Sequence, residues 1–550
     1  MFQYTERRSI VVYLFHARQV ELSDGQFKHL SISMPEETQT LSHIPIFPIL
    51  LATLACFVYA YFKRAYSYWK SMGVPQLNPT FPFGDMASVI FRRQNMGDKI
   101  KEIYDRMKGR PYVGLYFFSR KAFLPLDPVL IKDVLGKDFQ HFYDRGIYYD
   151  EENDPLSAHL FSIAGPKWKN LRAKLTPAYS PGKLKYMLDT IVQCGHEMTA
   201  ILKEMAAASE GDVEIKEILA RYTTDVIGCC AFGLECNCMR DPNAEFRLMG
   251  KRAFTQTVGD VLKMVIIRSF PSLAKLLKIG VFSRDVTNFF NRVVKETIEH
   301  RENNNISRPD FLQLLIQLRR NGNIDEEDTS EGRKQDPGTA LTMEEAAAQA
   351  FIFFLAGFET TSTTISFALY EMSLNAEIQE KARREVEELI KSHGALTYEC
   401  LMEMKYLETV IFETMRKYPP APVFLRKCTK TYRIPDSNVI IKEGQSVLIP
   451  CYGLHRDPEF FPEPELFDPN RFNEENKGKI WDYTYMPFGD GPRNCIGMRF
   501  AMIQAKIALS LTLKNFKFTL SKKTILPLKM ETKGIILTPI GGLWLDLKTI

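Results

Sequence analysis

The residues best suited to do chemistry lie near the C-terminal end, in Phe488-Gly489-Asp490-Gly491-Pro492-Arg493-Asn494-Cys495-Ile496-Gly497. Three glycines in ten residues permit a tight turn and the close approach of a flat ligand. Cys495 opens a helical pattern, and a helix N-terminus favours the thiolate through its dipole and free N–H groups. A thiolate is a strong metal ligand that pushes electron density onto iron and favours O–O cleavage. Arg493, two residues earlier, is placed to meet an anionic group on such a ligand. The competing reading is a buried cysteine in an ordinary turn.

Two further constellations stand upstream. Thr342 and Glu345 form a T-x-x-E capping box ahead of a long, almost wholly apolar helix, which must run through the interior. Ala356-Gly357-Phe358-Glu359-Thr360-Thr361 interrupts that helix with a glycine and polar groups, at a cost in stability that suggests a function. Ala356 and Thr360 share a face. The Thr360 hydroxyl can bond back to a carbonyl and open the helix to water, so that Glu359 passes protons inward. Satisfied back-bonds in a Ser/Thr-rich helix are the alternative. In the second constellation, Glu413 and Arg416 lie three apart on a helix ended by Pro419 and Pro420 and can pair. Arg471 in FDPNRF supplies a second cation that makes a buried network tolerable.

Together these motifs resemble the cytochrome P450 family. FGDGPRNCIG resembles its haem-binding signature, AGFETT its oxygen-activating motif, ETMR its ExxR motif and FDPNRF its following arginine motif. The order and spacing match, with 53 residues from Thr360 to Glu413 and 82 from Glu413 to Cys495. YWKSMGVP, DVIGCCAFGLECN and TYMPFGDGPRNCIG are most similar to insect microsomal members of the detoxification group. The resemblance implies a mainly α (α+β) fold: a large helical domain with a small β-sheet region, plus an N-terminal transmembrane helix. It implies haem (iron protoporphyrin IX) held by Cys495 as metal ligand. Trp168, Arg172, Arg426 and Arg493 would meet the propionates, with Ala356, Phe488 and Gly497 against the cofactor. Thr360 and Glu359 would deliver protons. Glu413, Arg416 and Arg471 would be structural.

The remaining sequence is consistent with that reading. Lys and Arg total 71 against 66 Asp and Glu, a net +5 too slight to point to nucleic acid. Ten irregularly spaced cysteines without CxxC pairs argue against structural zinc and for a reduced, cytosol-facing body. Residues 44–62 carry no charge and are long enough to span a bilayer, with Lys63 and Arg64 on the cytoplasmic side. Residues 1–43 read as an N-terminal extension in which Met34 is an alternative start. Residues 63–84, basic and proline-rich, read as a stiff linker, and 85–550 as the catalytic domain. Residues 319–340 are polar and rich in breakers, as in an exposed loop. His455-Arg456-Asp457 matches part of a kinase catalytic loop, but neither a Gly-rich loop nor DFG accompanies it.

The implied reaction inserts one atom of O2 into a lipophilic small molecule, a xenobiotic or an endogenous lipophile. Its electrons come from NADPH through NADPH-cytochrome P450 reductase, with cytochrome b5 as a second donor, at the endoplasmic reticulum membrane. Lys167, Lys169, Arg172, Lys174 and Arg499 form a candidate docking face for an acidic reductase surface. Ile352, Phe353 and Ala356, with Pro422, Val423 and Phe424, are the expected pocket wall. Residues 262–282 are an apolar, basic lid candidate at the membrane lipid. The rival readings are a haem-thiolate isomerase or dehydratase and a non-catalytic haem sensor. Neither needs the Glu359–Thr360 pair.

Overall fold

The computed structural model describes residues 46–255, 257–322, 340–534 and 536–550. The extension before residue 46, Met34 included, and most of the polar loop at 323–339 lie outside the described residues. The first helix is Ile46–Tyr66, four residues longer at its C-terminal end than expected, with Lys63 and Arg64 in its last turn. At 1.5 Å per residue it is about 30 Å long, the thickness of a bilayer core. None of its apolar window Phe47–Tyr66 is buried. The chain divides into a unit ending at Ala60 and a body, Tyr61–Ile550.

The body is mostly helical and contains three small sheets. The largest has four strands in the order Tyr112–Phe117, Arg120–Pro125, Ser446–Ile449, Phe424–Lys427. The first two form an antiparallel hairpin, Ser446–Ile449 runs parallel to Arg120–Pro125, and Phe424–Lys427 returns antiparallel with Arg426 opposite Val447. This pairing carries Phe424 and Arg426, 62 or more residues upstream of Phe488, to the thiolate loop. A second sheet joins Asp212–Glu214, Trp544–Thr549 and Phe516–Leu520, which ties the C-terminal strand to the start of the helix Ile215–Ile227.

The proline-rich stretch does not act as a free spacer. Trp69 is fully buried, donates its indole N–H to the Leu115 carbonyl at 3.1 Å and lies over Gly114, where a Cβ would come within 2.2 Å of the indole ring. Residues 63–84 therefore pack on the hairpin, because one large aromatic inside that stretch gains more by burial than by exposure.

The central helix is Met343–Leu374, and its capping box forms as expected: Glu345 N–H to Thr342 Oγ1 at 3.1 Å and Thr342 N–H to the Glu345 carboxylate at 3.0 Å. Across it runs the helix Ile215–Ile227. Gly357 permits the close crossing, since a Cβ there would lie 2.5 Å from Ile227 Cδ1. The ExxR helix, Lys405–Lys417, ends before its two prolines, and the proximal helix, Met498–Asn515, follows the thiolate loop.

One buried carboxylate gives the fold a pH signature. Asp85 accepts the Tyr116 N–H at 2.7 Å, and burial pushes its pKa from 3.8 to about 6 against that hydrogen bond and the charge of Lys99. A carboxyl with a raised folded pKa retains a proton that the unfolded chain has lost. Its contribution is full below about pH 4 and is lost as pH rises through about 6. Asp85→Asn keeps the acceptor without the charge. Its stability relative to the parent should rise by about 2–3 kcal/mol between pH 4.5 and pH 8, as measured by urea unfolding. A pH-independent difference would contradict the assignment.

Candidate active site

Three local devices set the thiolate loop. Gly489 and Gly491 adopt φ of +72° and +69°, and a Cβ on Gly491 would collide with the Leu135 carbonyl. Asp490 accepts the Gly491 N–H at 2.5 Å. The Cys495 N–H bonds to the Phe488 carbonyl at 2.8 Å, which closes the turn. Cys495 retains exposed surface although protein packs densely around it. Burial raises its pKa. The Gly497 N–H and the charges of Arg172 and Arg145 pull the other way but do not reverse it. Gly497 precedes the helix Met498–Asn515 as its cap, so Cys495 sits just ahead of a helix N-terminus.

Four arginines converge beside the sulfur. Arg493 is buried, stacks on Trp168 at 3.8 Å and donates to the carbonyls of Tyr143, Leu160 and Ile163. Burial lowers it to about 9, and Asp144 at 3.6 Å resists the change. Burial lowers Arg426, on its strand, to about 10, and its Nε has no hydrogen-bond partner among the described residues. Arg172 donates to the carbonyl and side chain of Asn494, both at 2.9 Å. Arg145, absent from the sequence reading, donates to the Phe161 and Arg493 carbonyls. Burial, then repulsion from Arg426, Arg493 and Arg172, depresses it well below the usual range. Buried guanidiniums outnumber the carboxylates near them, and desolvated charge of one sign is costly unless an anion joins it. The donor set fits the two propionates of a haem that Cys495 would ligate.

The central helix offers a stripe of reduced burial. Ala356 is exposed in a helix otherwise largely buried, flanked one turn away on each side by half-buried Ile352 and Thr360. Phe353 departs from expectation: it is 8% exposed and stacks on Phe311 at 4.6 Å, because one residue turns the side chain by about 100° on a helix. Pro422 is likewise buried against Gly97, whereas Val423 and Phe424 remain half-buried. The helix is not opened at Thr360. It is continuous, and the Thr360 hydroxyl bonds back to the Ala356 carbonyl at 2.6 Å. Nor does Glu359 face Thr360; its carboxylate pairs with Lys216 at 2.5 Å, a partner the sequence reading missed.

Behind the loop, Arg416 and Glu413 form a two-pronged pair at 2.7 and 2.8 Å with both side chains fully buried. Arg416 also donates to the carbonyls of His455 and Leu466, and Glu413 accepts the Asp468 N–H at 2.9 Å. Arg471 contributes less directly than expected. Its Nε stands 3.5 Å from Glu413 without a hydrogen bond, and it donates instead to the Glu463 carbonyl. The backbone N–H of Asp468 shares with Arg416 the same Oε1 that Arg471 approaches. Burial raises Glu413 despite Arg416. The HRD triplet proves structural. Burial lowers His455 to about 3, with the charge of Arg416 adding to the effect, and its Nε2 accepts the Met486 N–H at 2.9 Å at the head of the thiolate loop. Asp457 is buried and accepts the Tyr104 hydroxyl at 2.7 Å.

The cytochrome P450 family model matches residues 75–545. The chain belongs to the cytochrome P450 family. Among curated proteins of Drosophila melanogaster, "Probable cytochrome P450 6a14" is 42% identical over 91% of this chain and 99% of its own length. "Cytochrome P450 6a9" and "Cytochrome P450 6a2" are each 40% identical, over 92% and 91% of this chain and 100% and 99% of theirs. This cytochrome P450 is thus an insect-type haem monooxygenase with the family's mainly helical fold.

Glu413→Ala would strand Arg416 as an uncompensated buried charge and should cost about 3–5 kcal/mol in urea unfolding. Glu299→Ala, in the exposed pair with Lys295, should change stability by under about 0.5 kcal/mol. A loss at Glu413 as small as that at Glu299 would show that the pair is not the clamp behind the loop.

Proposed function

We propose that this P450 is anchored in the endoplasmic reticulum membrane by Ile46–Tyr66 and oxygenates lipophilic small molecules with electrons from NADPH, delivered by NADPH-cytochrome P450 reductase. The observation that carries the reading is the enclosed Cys495 sulfur, ringed by buried arginines that have too few anions. Bound haem supplies the oxygen activation and redox chemistry.

The chain's own residues do the rest. Cys495 would ligate the iron as a thiolate, with the metal supplying the positive charge that burial otherwise demands. Gly497 steadies that anion with its N–H. Arg426, Arg493, Arg172 and Arg145 would hold the propionates, with Trp168 stacked against Arg493. Glu413 and Arg416 keep the loop in register through His455 and Met486; Arg471 reinforces them electrostatically. Phe488 gives the loop its closing carbonyl. Ala356 would leave room beside the central helix, Thr360 would present a hydroxyl there, and Glu359 would supply it with protons. Ile352, Val423 and Phe424 line an apolar wall that selects lipophilic substrates.

The outer surface supports the partners. Phe270, Leu273, Leu276 and Leu277 are exposed on and around the short helix Pro271–Leu276, beside Lys275 and Lys278, as befits a segment resting in membrane lipid. On the proximal side Lys169 and Arg499 are exposed. Lys167 is already paired with Glu151 and Glu345, so it contributes less to a docking face for the reductase or cytochrome b5 than its sequence position suggests.

Full-length protein reconstituted with the reductase in vesicles should consume NADPH and O2 and oxygenate apolar substrates. Thr360→Ala should lower product formed per NADPH about tenfold or more while NADPH oxidation continues, the order expected for loss of a proton-transfer group. Full coupling in that variant would remove the proton role. Turnover with peroxide alone, independent of reductase, would favour the isomerase class.

A further inference from the structure

We propose that Cys194 and Cys229 form a dithiol oxidation site, at which hydrogen peroxide converts Cys229 to a sulfenic acid and Cys194 then closes it to a disulfide. The pair stands on other elements than the Cys495 loop, and its oxidant belongs to the hydroperoxide class.

Five of the ten cysteines fall between residues 194 and 238, and the fold gathers three of their thiols. Cys194 is buried on the helix Pro181–Ala208, and Cys229 is half-buried in the wide turn Gly228–Phe232 that follows the helix Ile215–Ile227. The long helix packs against this turn, and the Cys194 thiol hydrogen-bonds to the Cys229 sulfur. Gly233, at φ +66°, turns the chain back and brings Cys236 in. Gly228 leaves space for it, since a Cβ there would collide with Cys236 Sγ. The Cys229 and Cys236 thiols both point at the Leu234 carbonyl, at 3.5 and 3.7 Å. Cys229 and Cys236 rest on the edge of the core that holds Cys194. The other two are set apart: Cys230 is buried, and Cys238 donates its N–H to Asp225 at 2.8 Å and its thiol to the Cys236 carbonyl.

The two thiols are unequal, which sets their roles. The hydrogen bond from Cys194 lowers the pKa of Cys229 against the opposing effect of burial, Asp225 and Glu235, and Arg308 adds to the lowering. The same bond, with burial, raises Cys194. Cys229 is the more exposed thiol and the better thiolate, so it is the nucleophile, and Cys194 is the resolving thiol. In the first step the Cys229 sulfur attacks one peroxide oxygen. An S–O bond forms, the O–O bond breaks, and the departing hydroxide takes the Cys229 proton as water. In the second step the Cys194 sulfur attacks the Cys229 sulfur. An S–S bond forms, the S–O bond breaks, and the second hydroxide takes the Cys194 proton. Two thiols lose two electrons, and one peroxide becomes two waters. Thiols that already hydrogen-bond are within the reach of a disulfide. The cross-link would tie the long helix to the turn after Ile227, the residue seated against Gly357 of the central helix. Exchange with a small thiol would reverse it.

Two measurements on the full-length holoenzyme, with imidazole capping the iron, test this. In the first, the parent protein is exposed to a small excess of hydrogen peroxide, blocked with N-ethylmaleimide, digested without reductant and read by mass spectrometry. The Cys194–Cys229 disulfide should exceed every other cysteine pair at least about tenfold, and dithiothreitol should remove it. In the second, dimedone, which traps sulfenic acids, should label Cys229 at least about tenfold more in Cys194→Ser than in the parent, because the resolving thiol is gone. Cys194→Ala, which keeps a small apolar group at this buried position, should give the same labelling. A disulfide from Cys229 to Cys236, peroxide treatment that leaves Cys194 and Cys229 free to react with maleimide, or equal dimedone labelling in parent and variants would overturn the proposal.

Discussion

An anionic sulfur inside a protein has to be matched by positive charge, and that requirement organises this molecule. Burial alone would keep Cys495 protonated. One N–H from Gly497 and the charges of Arg172 and Arg145 do not outweigh burial, so the loop is suited to a cation bound at the sulfur itself. The same logic applies with opposite sign a few ångströms away. Burial pushes Arg426 and Arg493 below their ordinary range, and for Arg493 the repulsion of Arg426 and Arg172 adds to it against the pull of Asp144. A site with a thiol short of a cation on one side and guanidiniums short of anions on the other is complementary to an iron porphyrin with two carboxylates.

Holding that arrangement falls to a chain of buried polar contacts. Glu413 and Arg416 satisfy each other at two points, Arg416 reaches the His455 carbonyl, and the His455 ring accepts from Met486, which leads into the loop. A buried pair is weak evidence of net stability, since apolar residues of the same volume often do as well. Its value here is directional. Each contact specifies an angle as well as a distance, so the loop returns to one conformation after each fluctuation.

Local signals were legible in the sequence; contacts between distant segments were not. The capping box at Thr342, the positive-φ glycines around Cys495 and the Glu413–Arg416 pair are set by residues within a few positions of one another, and all three appear as read. Arg145 and Lys216 carried no motif, because their roles arise only when residues more than 100 positions apart meet. Phe353 failed by one step of helical phase. Arg471 fell short because a backbone N–H, invisible in a pattern of side chains, occupied the acceptor it was expected to fill. The linker around Trp69 reads as a spacer by composition, yet one indole over a glycine is enough to bind it to the sheet.

The proposed bond between Cys495 and iron is the contact on which the haem site turns. The decisive measurement is the absorption spectrum of the reduced, carbon monoxide-bound full-length protein beside that of Cys495→His, which offers a neutral nitrogen at the same position. The parent should show the strongly red-shifted Soret band of a thiolate-ligated haem, and the variant should retain haem with the band moved to the shorter wavelength of histidine ligation. A parent spectrum already of the nitrogen-ligated type, or one that the substitution leaves unchanged, would contradict the assignment.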